Sequence, residues 1–264
     1  MTAPLPFDKR DSAHLPGHWL LARLGKRVLR PGGAKMTEDM LDAAQLTGAD
    51  VVELAPGLGK TAISILRRNP AGYRGVEADS DAAALSAAAV GSAGVVGAGD
   101  AADTGLESES ADAVVGEAML TMQTDSHKAA IIAEAFRVLR PGGRYAIHEL
   151  SLQPDELPEE TKTELRKALA RSIEVNARPL TDAEWREILV RGGFEIEHVG
   201  YAPMALLQPR RVIADEGIVG TLRILGNVVR DKPARERVLA MRATFNSHKR
   251  ELRAISVIAR KPKA

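Results

Sequence analysis

The sequence predicts an α/β fold: a doubly wound, mostly parallel sheet with helices on both faces. Three observations lead there. From residue 51 to residue 150, short β-branched apolar runs alternate with stretches of helical periodicity. A glycine turn, Ala55-Pro56-Gly57-Leu58-Gly59, stands between the first run and the first helix. Apolar residues make up 45% of 264 residues, enough for the core of one α/β domain of ordinary size. Alternation of this kind implies parallel strands joined by right-handed crossovers.

Residues 1–16 are polar and proline-rich and read as an arm. Over 17–30, Leu20, Leu24 and Val28 fall at helical spacing, with Arg23, Lys26, Arg27 and Arg30 on a basic, solvated face. Pro31-Gly32-Gly33 ends that helix, and a second is expected from Thr37, whose hydroxyl would cap it. Strand one spans 51–54, and its helix, 60–69, carries Ala62, Ile63 and Leu66 on one face. A strand at 73–77, an alanine-rich helix at 81–90 and strands at 94–96 and 112–116 continue the repeat. A helix at 128–139 and a strand at 144–150 complete it.

After Ser151 the rhythm breaks. A helix at 161–176 carries Leu165, Leu169 and Ile173, and Thr181-Asp182-Ala183-Glu184 forms a capping box opening a helix with Trp185. A strand follows at 194–201. A helix over 214–229 (Ile218, Leu222, Leu225, Val229) and another over 233–245 precede a last strand at 252–259. The division that results is 1–47 as arm and two helices, then 48–264 as the main domain. Insertions are expected at about 152–180 and 212–247.

Composition excludes several classes. A net charge of +1 and 3% aromatic residues argue against a nucleic-acid partner. With no cysteine there is no disulfide frame and no thiolate nucleophile. His14 and His18 are separated by Pro16 and Gly17 and have no companions, so no metal site is expected. The first residues hold no apolar segment and no run reaches membrane-span length, so the expectation is a cytoplasmic protein that meets no membrane.

The first turn excludes two further readings. Gly59-Lys60-Thr61 resembles the end of a phosphate loop, but Leu54 stands where that loop needs glycine. A dinucleotide turn needs a third glycine where Ala62 stands. What fits is an acid at the strand end followed by small-x-Gly-x-Gly: Glu53, Ala55, Gly57, Gly59. Three more acids follow successive strands. Glu77 comes a little over twenty residues later with Ala78 beside it, Asp100 precedes Ala101, and Glu117 ends the fourth run. The segment from Ala135 to Gly143, ending Arg140-Pro141-Gly142-Gly143, precedes the fifth.

In this order the motifs resemble class I S-adenosylmethionine-dependent methyltransferases over roughly 45–200, with Ala55 in place of the family's first glycine. The resemblance points to the branch that includes ubiquinone- and menaquinone-type enzymes. It implies a seven-stranded Rossmann-like sheet whose last two strands are antiparallel, with the first two helices as a lid; packing of those helices on the sheet edge is the alternative. Glu53, Ala55, Gly57, Gly59, Glu77, Ala78, Asp100, Ala101 and Glu117 would bind S-adenosylmethionine, with S-adenosylhomocysteine as product. Glu77 would take both ribose hydroxyls and Asp100 the adenine amino group.

The implied reaction is in-line methyl transfer to a small-molecule acceptor; the alternative is a non-catalytic binder on the same fold. His148 and Glu149 at the end of strand five are the candidates for a base, needed only by a poorly nucleophilic acceptor. Core packing is the competing reading of His148. Arg210, Arg211 and the cations of 223–237 would bias the site toward an anionic substrate, and a homodimer is compatible with the sequence.

Overall fold

The computed structural model describes Leu5 and residues 11–263, so most of the expected N-terminal arm lies outside the described residues. The chain passes α1 (Gly17–Arg23) and α2 (Gly33–Ala43) before entering the sheet at β1 (Asp50–Leu54). There follow α3 (Lys60–Leu66), β2 (Gly72–Glu77), α4 (Ser80–Val90), β3 (Val95–Ala98) and β4 (Ala111–Glu117). Next come α5 (Asp125–Val138), β5 (Leu139–Leu152), α6 (Glu159–Ile173), β6 (Leu180–Thr181) and α7 (Asp182–Arg191). The chain closes with β7 (Glu195–Pro203), α8 (Pro209–Arg230), α9 (Lys232–Ser247) and β8 (Leu252–Arg260).

The sheet runs β3-β2-β1-β4-β5-β8-β7, with the two-residue β6 paired to β5. Strands β1 to β5 are parallel, whereas β8 lies antiparallel between β5 and β7. This is the doubly wound arrangement the alternation predicts, and the antiparallel pair at 195–203 and 252–260 encloses the two late helices.

Strand geometry divides the core. Successive side chains point to opposite faces. Val51 therefore packs with Met40, Leu41 and Ile65, while Val52 and Leu54 pack with Ile131, Ile132 and Trp185. A third cluster joins Leu20 and Leu21, Leu165 and Leu169, Met241 and Phe245 to Leu150 and Leu152. The N-terminal helix and the helical insertions thus share one apolar body, set on the carboxyl end of β5.

The start of the chain departs from expectation. Helix α1 stops at Arg23, and Gly25 takes φ +102°, so residues 24–30 are not helical. The basic run is not one solvated face, because Lys26 and Arg30 are both buried. Glu216 in α8 accepts from the backbone N–H groups of Arg27 (2.7 Å) and Val28 (2.8 Å) and lies 3.5 Å from Lys26 Nζ. These bonds replace the helical ones that the segment lacks. Thr37 is not a cap; α2 starts at Gly33, and Thr37 sits buried inside it. In α3 the buried face is Thr61, Ala62, Ser64 and Ile65 rather than Ile63 and Leu66. The capping box of α7 forms on both sides, Thr181 with Glu184. Among the described residues no helix is long and apolar enough to cross a membrane.

Candidate active site

The register brings four strand ends together. Leu54 pairs with Val76 and Gly116, and Glu117 pairs with His148, so Glu53, Glu77, Glu117 and Glu149 gather at one edge of the parallel strands. A cavity of about 600 Å³ opens there. Open α/β sheets bind ligands at this edge.

The first turn is built for close approach. Ala55, Gly57 and Gly59 all take left-handed backbone, with φ between +54° and +68°. Gly59 ends the turn against α4, where a Cβ would stand 2.7 Å from the Ala89 Cβ, so only glycine lets the two helices meet. Ala55 adopts the conformation that suits the glycine of the related motif. Gly57 presents its N–H to Glu77 Oε2 at 2.9 Å, and Asp79 N–H donates to Glu77 Oε1 at 3.2 Å. The turn and the second strand are thereby tied, with the Glu77 carboxylate lining the cavity. Each carboxylate oxygen has a second lone pair free for a ligand donor.

Of the expected donor-binding residues, Glu53, Ala55, Gly57, Glu77, Ala78, Asp100, Ala101 and Glu117 line the cavity, and Gly59 shapes the turn behind it. Asp100 is exposed, accepts from Ala102 N–H at 2.8 Å and lies 3.4 Å from His127 Nε2. Glu53 is buried and accepts from the Tyr73 hydroxyl at 2.6 Å. Burial pushes its pKa up to about 8, with the negative charges of Glu117 and Glu77 adding to the rise. Carboxylates, open backbone and small residues at this edge suit a ligand with hydroxyl, amino and cationic groups.

Glu117 is different. Its oxygens meet the Thr37 hydroxyl (2.6 Å), the Thr61 hydroxyl, Arg30 Nε (2.8 Å) and His148 Nδ1 (2.8 Å). Burial alone would raise its pKa, but Arg30, His148 and Thr37 together hold it at about 2. Arg30 also reaches Thr61 Oγ1. The hydroxyl that mimicked a phosphate loop therefore serves an internal ion network.

Both candidate bases are already committed. His148 is fully buried and does not line the cavity; its Nε2 accepts from Gly32 N–H at 3.0 Å. Its proton consequently sits on Nδ1, facing Glu117, and the ring has no free lone pair. The packing reading of His148 describes this placement. Glu149 touches the cavity, yet its oxygens accept from Met119, Leu120 and Thr121 N–H and from the Thr121 hydroxyl, at 2.6–3.0 Å. Burial pushes its pKa up, and those four donors oppose the rise. Its role is to hold the chain after β4.

Several residues that line the cavity escape a sequence reading. Arg30 and Thr61 were masked by patterns that suggested a solvated face and a phosphate loop. His18 and Trp19 of α1 line the cavity, with ring centroids 5.0 Å apart, and burial lowers the His18 pKa to about 4. Leu29, Leu169, Ile173, Met241 and Phe245 make an apolar lobe. Lys60 and the exposed Arg27 bring cations to the cavity, whereas Arg210 and Arg211 do not line it. Among the described residues no group of three or more His, Cys, Asp or Glu is placed to hold a metal ion.

Residues 52–147 match the family model described as a methyltransferase domain. A protein of Haemophilus influenzae, described as uncharacterized, is 36% identical over 251 residues, covering 93% of this chain and 98% of its own. The chain belongs to that protein's family. Its central part, residues 52–147, matches the methyltransferase-domain model, and that match supports S-adenosylmethionine as the cofactor of the cavity. Solved structures share this fold. The [4+2]-cyclase SpnF superposes with a TM-score of 0.73 at 16% identity, over 100% of both chains. Phosphoethanolamine N-methyltransferase 2 of Haemonchus contortus was solved with phosphomonomethylethanolamine and S-adenosylhomocysteine. It superposes with a TM-score of 0.67 at 16% identity, over 94% of this chain and 58% of its own.

Proposed function

We propose that the chain transfers the methyl group of S-adenosylmethionine to a small-molecule acceptor, leaving S-adenosylhomocysteine. One observation carries this reading: a single cavity joins the donor-motif residues to the apolar lobe of the cap. Glu77 would hold the ribose hydroxyls, Asp100 and Ala101 the adenine edge, and Glu53 the cationic end of the donor. S-adenosylmethionine supplies a methyl group already activated on a sulfonium, so in-line displacement needs alignment and exclusion of water more than acid–base chemistry. The chain's own residues suit that task. Glu117 and its partners brace Arg30 and the start of α2 against the strand ends, and the lobe keeps the acceptor's surroundings dry.

The acceptor is best read as amphipathic. Its apolar body would fill the lobe lined by Trp19, Leu29 and Phe245, and an anionic or polar end would meet Arg27. The apolar lobe is also what supports the quinone-type branch of the family. Because His148 and Glu149 are both engaged, the acceptor either is nucleophilic without a protein base or uses His18.

A second reading has a specific basis. The fold match to a [4+2]-cyclase and the absence of a free base on β5 both suit a binder or a different catalyst on this scaffold. Calorimetry with S-adenosylmethionine and S-adenosylhomocysteine tests the donor. Both should bind, and Glu77→Ala should weaken each by about tenfold or more, the loss of two charge-assisted hydrogen bonds. No binding by the native chain, or unchanged binding by the variant, would sink the reading.

A further inference from the structure

We propose that the outward face of α8 is a docking surface for an anionic lipid bilayer. Gly217 (φ 70°, ψ 174°) breaks α8, so residues 218–230 form a helix of their own. At 1.5 Å per residue that is roughly 20 Å of surface. On it Ile218, Val219, Leu222, Leu225 and Val229 are 71%, 73%, 63%, 54% and 66% exposed. Positions 218, 222, 225 and 229 fall on one helical stripe. The sequence marks this stripe as an apolar face, yet the fold turns it outward. The opposite side is the one that packs: Ile224 is buried, and Asn227 Nδ2 donates to Leu24 O at 3.0 Å. Leu239 of the adjoining α9 is also exposed, at 56%.

Charge decides which occupant fits. No acid lies between Glu216 and Asp231, and Arg223, Arg230 and Lys232 are all exposed. The flanking acids turn inward. Glu216 holds Lys26 and the backbone of residues 27 and 28, Asp215 accepts from Ala34 N–H, and Asp231 accepts from the Ser12 hydroxyl. Glu236 on α9 is the exposed acid nearest in sequence. An apolar stripe bordered by exposed cations suits the headgroup and acyl boundary of an anionic leaflet. A second copy fits less well, because its matching face has no acid between Glu216 and Asp231 to meet these cations. The helix lies directly over residues 24–28, next to Arg27 and Leu29 of the cavity wall. Docking here would place that wall at the lipid surface, in place of the membrane-free setting the composition suggested.

The test is co-sedimentation of the full chain with vesicles of phosphatidylcholine alone or mixed with phosphatidylglycerol. The native chain should partition onto the mixed vesicles and not onto phosphatidylcholine alone. Leu222→Glu with Leu225→Glu, and separately Arg223→Glu with Arg230→Glu, should each lower partitioning by about tenfold or more. All four side chains are exposed, so circular dichroism and thermal melting should be unchanged. Three results would overturn the proposal: no binding of the native chain to mixed vesicles, equal binding to neutral vesicles, or unchanged binding by the Leu222/Leu225 variant. A concentration-dependent dimer that the same variant abolishes would assign the face to a second copy and likewise overturn it.

Discussion

Arg30 and Glu117 form a buried ion pair, Nε to Oε2 at 2.8 Å, with side chains 10% and 5% exposed. It joins the segment before α2 to the end of β4, so the N-terminal segment is bolted to the sheet beside the candidate donor pocket. Removing one partner strands the other charge. Arg30→Met should cost about 3–5 kcal/mol in urea unfolding at pH 7, whereas Arg30→Met with Glu117→Gln should recover part of it. The pH dependence has a definite sign. A carboxyl held at about 2 when folded and near 4.5 when unfolded adds stability above pH 4.5. That stability fades as pH falls toward 2, and Glu117→Gln should flatten this limb.

His148 bridges the same network to Gly32 through both ring nitrogens. Heteronuclear NMR should show the Nδ1–H tautomer, with Nε2 unprotonated. His148→Ala should cost about 2–4 kcal/mol, from a buried void and two lost hydrogen bonds. A base would instead change the pH profile of methyl transfer; an unaltered profile in His148→Gln is expected once an acceptor is known.

Gly59 and Ala55 share left-handed backbone but differ in space. Gly59→Ala would set a Cβ 2.7 Å from the Ala89 Cβ and should cost about 2 kcal/mol or more. Ala55→Gly relieves a strained φ of +55° at the expense of chain entropy, and should fall between neutral and about 1 kcal/mol stabilising. Equal losses at both sites in thermal melts would contradict this.

Glu53, raised to about 8 by burial, is mostly protonated at pH 7. A cationic donor group beside it favours the carboxylate, so binding of S-adenosylmethionine should release a proton. Calorimetry in phosphate and in Tris at pH 7 reads this as different apparent enthalpies, and Glu53→Gln should remove the difference. For the free protein the sign is opposite to that of Glu117. The unfolded carboxyl loses its proton near 4.5 and the folded one near 8, so stability falls as pH rises between them.

His18 faces the cavity with its pKa lowered to about 4 by burial. Its imidazole should be neutral at pH 7 and titrate in NMR well below the ordinary histidine value of 6.5. Filling the cavity with an anionic amphiphile should shift that midpoint upward, because a nearby negative charge favours imidazolium.

Much of the fold was legible because it rests on local signals. Strand runs such as Val51 and Val52, the glycine turn and the Thr181–Glu184 box each encode their element within a few residues. That Glu53, Glu77, Asp100 and Glu117 share one edge was legible too, since each lies at or just after the end of a strand and parallel register places strand ends together. The N-terminal segment was not. Lys26 and Arg30 share a helical spacing with Arg23 and Arg27, and spacing carries no information about a carboxylate 190 or 87 positions away. His148 and Glu149 looked available because their partners, Gly32 and the backbone of 119–121, are remote in sequence. Spacing marks the stripe of α8 as apolar but does not tell which side packs.

By itself the sequence determined the alternation of strands and helices and the order of the donor motif, from Glu53 through Glu77 and Asp100 to Glu117. Backbone propensity and side-chain period act over a few residues, and topology follows from their order. Only the tertiary structure decided which charges are buried, which polar groups are already satisfied, and which apolar face is left to solvent. Those depend on partners brought together by packing, and desolvation acts on a side chain only once its neighbours are in place.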